Sequence, residues 1–522
     1  MSRSIHEMFA DRRRIHEQLP TLPLAYSSGG GRGHFTGPLD GAPSLAGLVV
    51  VERDDGRQLV AQVLALHVAD RPLGEIESTA EMSLSNGMTV QLARATPSVR
   101  IASGDLAVLG WLEDDRFIVD PSTEAFDELL FRTATGAEVD LVLAALGATK
   151  PMFEVGTIAR SDGLRARLRP SGFARHTFLC GQSGSGKTYA TGTLLERLRL
   201  ATTLPIIVLD PNSDHIHLGE TLDASDDDPD AVAYRALSGQ VLVARGRGRG
   251  GDHLLALNYS DLEVRRQAML LGLDPVRDLA LYATLREIAE LLDEPYSLDD
   301  LLAAADAGDS DHARDLSARI RNLGIAEWGV WTRPGEPSLV DAQPFQAQTL
   351  VLDLGSLDSP AERTLIAMAT MRVLWRLREN KRSVLLVVDE AHNVFPAEPS
   401  TPLEAAATEV GISIAAEGRK YGLHLFVATQ RPSKVHANVV TQCDNLALLR
   451  VNSVADVEDL CRIFSHVPPD LIRQAPGFTL GDVLFAGPIA PLPMVAKIGR
   501  RLSPEGGGDV PTDWAEPPGS RP

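Results

Sequence analysis

The chain has 522 residues, 44% of them hydrophobic and 23% charged, the balance of an ordinary soluble globular protein with room for two or three domains. Its formal net charge of −20 excludes a protein that coats nucleic acid with its whole outer surface, but not one that threads DNA through a narrow basic channel. No apolar run reaches the length of a membrane span, the N-terminus lacks the apolar stretch of a secretory signal, and Cys180, Cys443 and Cys461 lack metal-site spacing, so reduced thiols in a cytoplasmic protein are expected.

In chain order, residues 1–43 read as a short helix followed by a glycine-rich linker, SSGGGRGHFTGP at 27–38. Residues 44–150 hold short β-type runs (LAGLVVVE, QLVAQVLALHV, MTVQLA, LAVLGWL, FIVD) parted by turn formers, the pattern of a small β-barrel or sandwich. VGTIARSDGLRARLRPS (155–171) reads as a hairpin leading into an α/β domain over 151–502. The strands expected there are TFLC (177–180), PIIVLD (205–210), TLVLDL (349–354), SVLLVVD (383–389), LHLFVAT (423–429) and LALLRV (446–451). Continuous apolar runs of this kind suit a parallel sheet covered on both faces. Residues 261–335 interrupt them with helical sequence, FTLGDVLFAG (478–487) reads as a terminal hairpin, and the Gly- and Pro-rich tail 503–522 as disordered.

The stretch Gly181-Gln182-Ser183-Gly184-Ser185-Gly186-Lys187-Thr188 has P-loop spacing, with a strand-like run before it and a helix-like run after it. Glycines let the backbone curl so that several N–H groups face one anion, and the helix start adds partial positive charge. Lys187 is expected on the β- and γ-phosphates of ATP, and Thr188 on Mg2+. SVLLVVDEAH ends a strand on adjacent acids: Asp389 is expected to hold Mg2+ through water and Glu390 to polarise the attacking water. The next strand ends at Gln430, placed to sense the γ-phosphate. Asp210 ends a further strand on the same sheet edge.

The letters DEAH invite comparison with two-lobed helicases, but the spacing argues against it. About 200 residues separate Lys187 from Asp389, and fewer than a hundred follow Gln430, too few for a second lobe of typical domain size. The charge-stabilising arginine is then expected from a neighbouring subunit in a ring. Arg419 is the first candidate, with Arg431 and Arg450 open beside it; basic residues at a helix end also simply complement its dipole. Arg245, Arg247 and Arg249 on the glycine-rich loop 244–251, and Lys434, are candidates for phosphate contacts with DNA, the alternative for the loop being an ordinary mobile surface segment.

Taken in order, VGTIA, HTFLCGQSGSGKT, IIVLDPNSDH, TLVLDLGSL, LLVVDEAHNVFP, EGRKYGLHLFVATQRPSKV and GDVLFAG resemble the HerA branch of the HerA–FtsK ATPases, over about residues 47–497. The resemblance implies a β-barrel like that of rotary ATP synthases, a RecA-like core with a helical insertion, and a homo-hexamer that moves along double-stranded DNA through a central pore. It further implies ATP at Gly181, Gly184, Gly186, Lys187 and Thr188, metal handling and water activation at Asp389 and Glu390, and sensing at Gln430. Proteins of this branch pair with nucleases of the NurA type or serve in phage defence, so such a partner is expected. The alternative is a ring ATPase that acts on protein or serves as a scaffold for an effector. One departure stands out: after Asp210-Pro211 the family often has histidine–glycine–glutamate, whereas this chain has Asn212-Ser213-Asp214.

Overall fold

The computed structural model describes residues 22–507, apart from 54, 73–80, 84–88, 92–97, 114–115, 148–150, 160, 162, 223–227 and 342–343. The chain forms two compact units, Met1–Thr149 with Val467–Gln474, and Lys150–His466 with Ala475–Pro522.

The first unit is built on β1 (Leu24–Ser27), β2 (Arg32–Pro38), β3 (Leu48–Glu52), β4 (Gln58–Val63), β5 (His67–Pro72), β6 (Glu81–Ser83), β7 (Thr89–Gln91), β8 (Ser98–Glu113), β9 (Arg116–Val119) and β10 (Phe126–Thr133). Six of these close on themselves in the order β2-β1-β10-β3-β4-β8, with β8 returning to β2. Closure makes this a barrel rather than a sandwich and leaves these strands no open edge. Its core is filled by Phe35, Val49, Val51, Leu59, Leu106 and Phe131.

Two local readings change here, and a third falls outside the described residues. The expected linker at 27–38 contains β2, whose buried positions are Gly33, Phe35 and Gly37. Glycine on the inner face hides the strand's alternation, yet a side chain at Gly37 would lie 3.1 Å from the Pro23 backbone. Residues 136–147 form a helix, Gly136–Gly147, inside the stretch read as all-β. The expected N-terminal helix falls largely on residues 1–21, outside the described residues.

The second unit carries β11 (Phe153–Ile158), β12 (Arg165–Leu168), β13 (His176–Cys180), β14 (Ile206–Asp210), β15 (Val241–Arg245), β16 (His253–Leu254), β17 (Thr349–Asp353), β18 (Val384–Val388), β19 (Leu423–Thr429), β20 (Cys443–Leu448), β21 (Asp482–Ala486) and β22 (Met494–Ile498). They form one sheet in the order β12-β11-β22-β21-β20-β13-β19-β18-β14-β17-β15-β16. The strands from β20 to β16 run parallel, and the other end is antiparallel. Every residue of β13, β14, β17, β18 and β19 is buried, as a sheet covered on both faces requires. This is the RecA-like α/β arrangement, with the P-loop strand β13 parted from β18 by β19.

The helical insertion lies between β16 and β17, with helices at Val264–Leu270, Leu279–Leu291, Leu298–Ala307 and Asp311–Leu323. The run at 478–487 supplies one arm of the terminal hairpin, β21, and the other arm is β22. The parallel strand β15 was not expected, because VLVAR ends in the arginine–glycine run that reads as loop. The tail also departs from expectation at its start: Ser503 is fully buried and donates from its N–H (2.8 Å) and its Oγ (2.5 Å) to Glu196 on the P-loop helix. Glu196 and the guanidinium of Arg501 are buried together, and that pairing holds residues 501–503 in place. Residues 508–522 lie outside the described residues.

Candidate active site

Residues 181–188 join β13 to the helix Lys187–Ala201. The turn depends on left-handed backbone at Gly184 (φ 72°) and Gly186 (φ 91°), which glycine adopts without cost. Its first half is stitched to the end of β20: the Gln182 N–H donates to Arg450 O at 2.9 Å, the Asn452 N–H donates to Gln182 Oε1 at 3.1 Å, and the Arg450 guanidinium donates to Gly184 O at 3.1 Å. Ser183 stands exposed at the tip. The first intrahelical bond is Ala190 N–H to Gly186 O, so the N–H groups of the first helical turn are left for an anion. The Ser185 hydroxyl is buried beneath the loop without a hydrogen-bond partner.

Lys187 is 4% exposed and points at the ends of the neighbouring strands. Its Nζ lies 2.5 Å from Asp389 Oδ1 and 3.0 Å from Glu390 Oε1. Burial alone would weaken the ammonium, but the two carboxylates outweigh it and hold the Lys187 pKa above its ordinary value. Burial likewise works against the Asp389 anion, yet Lys187 prevails and keeps that carboxyl well below the usual range. Glu390 sits in left-handed backbone (φ 44°), an uncommon conformation for a non-glycine residue. Its Oε1 also accepts from Gln430 Nε2 at 2.8 Å, and its Oε2 lies 3.3 Å from His392 Nδ1. Burial lowers the His392 pKa, with Glu390 opposing. Lys187, Asp389, Glu390 and Gln430, far apart in sequence, thus form one cluster at the carboxyl edge of the sheet, as open α/β topology directs.

A second group of acids borders it. Asp210 is fully buried and accepts from the N–H groups of Asn212 (3.3 Å), Asp214 (3.0 Å) and His215 (2.7 Å), which folds residues 211–215 into a tight turn. That turn brings Asp214 Oδ2 to 3.4 Å from the Thr188 hydroxyl. Burial, with repulsion from Asp210, pushes Asp214 up to about 6. His215 is fully buried, with Nε2 3.8 Å from Asp389 Oδ2. Thr188, Asp214 and Asp389 offer oxygen donors only, and Asp389 Oδ2 is buried without a hydrogen-bond partner; this donor set fits Mg2+. Sequence reasoning missed His215 and assigned nothing to Asp214. The adjacency of both to the strand-ending Asp210 was the available signal.

The remaining candidates lie elsewhere. Arg419 precedes β19 at the amino edge of the sheet, a strand's length (about 20 Å) from Gln430. It is half exposed and 3.4 Å from Asp444, so it is not part of its own chain's cluster. Arg431 is exposed directly after Gln430, whereas Arg450 is committed to the P-loop of its own chain. In the 244–251 loop, Arg245 pairs with the buried Asp353 at 2.7 Å, and Arg247 grips Glu336 through two nitrogens and donates to Trp331 O at 3.1 Å. Arg249 and Lys434 are exposed. Two guanidiniums of this loop are therefore engaged in ion pairs, and it is less free than its glycine content implies. The Lys434 backbone ties the segment after Gln430 to the segment after Glu390 through Ala397 N–H to Lys434 O at 2.8 Å.

Fold and site together define a P-loop ATPase architecture. Residues 153–328 match the family described as the central domain of the helicase HerA. The chain is 26% identical over 158 residues to the DNA double-strand break repair helicase HerA of Sulfurisphaera tokodaii, covering 29% of this chain and 31% of that protein. It is 22% identical over 401 residues to the helicase of the same name from Pyrococcus furiosus, covering 66% and 69%. Among solved structures, VirB4 of Thermoanaerobacter pseudethanolicus is similar at 14% identity and a TM-score of 0.46, covering 66% of this chain and 96% of that one. Over residues 153–328 the chain is thus similar to the HerA helicases. Its match spans under a third of the length of the first curated relatives. Among the described residues no helix is long and apolar enough to cross a membrane.

Proposed function

We propose that this chain is an ATP-hydrolysing motor that assembles as a homo-hexamer and moves along or unwinds double-stranded DNA. The observation that carries the reading is the single cluster Lys187–Asp389–Glu390–Gln430 at the mouth of the P-loop. Lys187 is the only cation hydrogen-bonded to Asp389 or Glu390 among the described residues, and an incoming γ-phosphate competes with those carboxylates for it. Once Lys187 turns to phosphate, Glu390 is released as a base held by Gln430, able to orient a water for in-line attack. Thr188 and Asp389 would hold Mg2+, with Asp214 beside them. The ion would supply neutralisation of phosphate charge.

No arginine hydrogen-bonds to Asp389, Glu390 or Gln430 among the described residues, which supports a shared site completed by a neighbour's arginine. Such a residue is worth about 10³–10⁵ in rate. Arg419 and Arg431, both solvent-facing, are the candidates; Arg249 and Lys434 are the candidates for DNA phosphates. DNA as the substrate is supported by the relatives named as DNA break-repair helicases. The same resemblance leads us to include a partner nuclease or other effector in the proposal.

The test is ATP turnover by the purified full chain with and without duplex DNA. Turnover should rise with DNA and vanish in Lys187→Ala and Glu390→Gln. Turnover that ignores DNA would instead favour the second reading, a ring ATPase acting on protein or gating an effector, which the net charge of −20 recommends.

A further inference from the structure

The site described so far accounts for the phosphate end of a nucleotide and leaves the base without a seat. Its location follows from the sheet order. The γ-phosphate machinery, Asp389, Glu390 and Gln430, ends β18 and β19, on one side of β13. A triphosphate that reaches those residues from the P-loop must leave its nucleoside on the other side of β13, toward β20 and β21.

The turn Thr479–Gly481 stands on that side. It enters β21 at the carboxyl edge of β20 and abuts the P-loop directly: the Gly481 N–H donates to Ser185 O at 3.2 Å. A Cβ placed on Gly186 would lie 3.4 Å from Leu480 Cδ1, so Leu480 already sits at contact distance from the point where loop becomes helix. The turn is held firmly. Asp482 accepts from both the N–H and the hydroxyl of Thr479 at 2.7 Å, Lys497 Nζ donates to Thr479 Oγ1 at 3.2 Å and to Leu480 O, and Gly481 takes a positive φ of 79°. All this structure presents one apolar side chain to solvent: Leu480 is 63% exposed. Val454, two residues past the Asn452 N–H that bonds Gln182, is 75% exposed. Apolar atoms left in water on a rigid turn at the rim of a polar anion site are matched by a flat apolar face, and a nucleobase offers one.

We propose that Leu480 is the nucleobase platform of this site, packing against the face of the base while the P-loop holds the phosphates. The proposal rests on the nucleotide-binding reading above, and the test separates the two. Affinities of the wild-type chain and of Leu480→Asn, which removes the apolar face without adding charge, are measured calorimetrically, with Mg2+, for ATP and for inorganic tripolyphosphate, which has no base. Wild type should bind both, ATP the more tightly. Leu480→Asn should lose tenfold or more in affinity for ATP and keep tripolyphosphate unchanged; Leu480→Phe should bind ATP at least as well as wild type. Unchanged ATP affinity in Leu480→Asn overturns the platform, as does equal loss of both ligands, which would mark the turn as structural. Unchanged ATP affinity with a smaller assembly in light scattering would reassign Leu480 to a subunit contact and likewise overturn it. A wild type that binds neither ligand defeats the P-loop reading itself.

Discussion

Lys187 is the residue on which the charge balance of the site rests. It is buried between two carboxylates, and removing one member of a buried ion cluster typically costs 3–5 kcal/mol because the others are left uncompensated. Lys187→Ala should therefore lower the urea stability of the nucleotide-free protein by about 3 kcal/mol, besides ending turnover. Glu390→Gln keeps the hydrogen bond to Gln430 possible but removes the base. Nucleotide affinity should persist while the hydrolytic rate falls by about 10²–10⁴, as single-turnover kinetics would register. A second titrating residue lies away from the site. His176 is 3% exposed, with Nε2 3.0 Å from Ala415 O and Nδ1 accepting from Leu425 N–H at 2.9 Å. Burial pushes its pKa down to about 4, against an unfolded value near 6.5, with the bond to Ala415 opposing. The unfolded chain thus takes up the proton first. The native state is favoured above pH 6.5 and loses up to about 3 kcal/mol as pH falls toward 4. Denaturation midpoints across this window should slope in the wild type and flatten in His176→Asn.

At the scale of elements, the placement of Glu390 depends on a helix packed against the loop that follows it. The helix Pro402–Glu417 carries Gly411 in its middle, where glycine costs about 1 kcal/mol relative to alanine. The reason is Phe395, fully buried, whose ring would lie 2.2 Å from a Cβ at Gly411. Gly411→Ala should improve helix propensity yet destabilise the protein by about 1–3 kcal/mol through overpacking. It should also slow turnover, because the displaced ring pushes on residues 390–395; thermal denaturation and steady-state ATPase rates check both parts. The glycine was readable as an anomaly within a helical run. Its partner was not, since Phe395 and Gly411 meet only when the helix folds back. Likewise, the P-loop, the Asp389-Glu390 pair and Gln430 were legible because each ends an apolar run on a polar residue. The Arg450 and Leu480 contacts with the P-loop were not, because they come from the ends of β20 and β21, which lie near the P-loop in the sheet and far from it in the chain.

At the scale of the whole molecule, the question is how a chain of net charge −20 would hold a polyanion. If DNA contacts are few, local and made by exposed side chains such as Arg249 and Lys434, stimulation of ATP turnover by duplex DNA should fall steeply with salt, while basal turnover changes little. A titration of potassium chloride under both conditions measures this. Local spacing and hydrophobic period alone specify the P-loop, the acids after it, the parallel strands other than β15 and β16, and the helical insertion. Tertiary structure decided the rest. Closure of the barrel recruits a strand from an apparent linker, since inward glycines carry no hydrophobic signal. Ion pairing engages Arg245 and Arg247, since a guanidinium's partner is set by which segments the fold brings together. Lys187 comes to rest between Asp389 and Glu390 because strand order brings those ends within hydrogen-bonding distance.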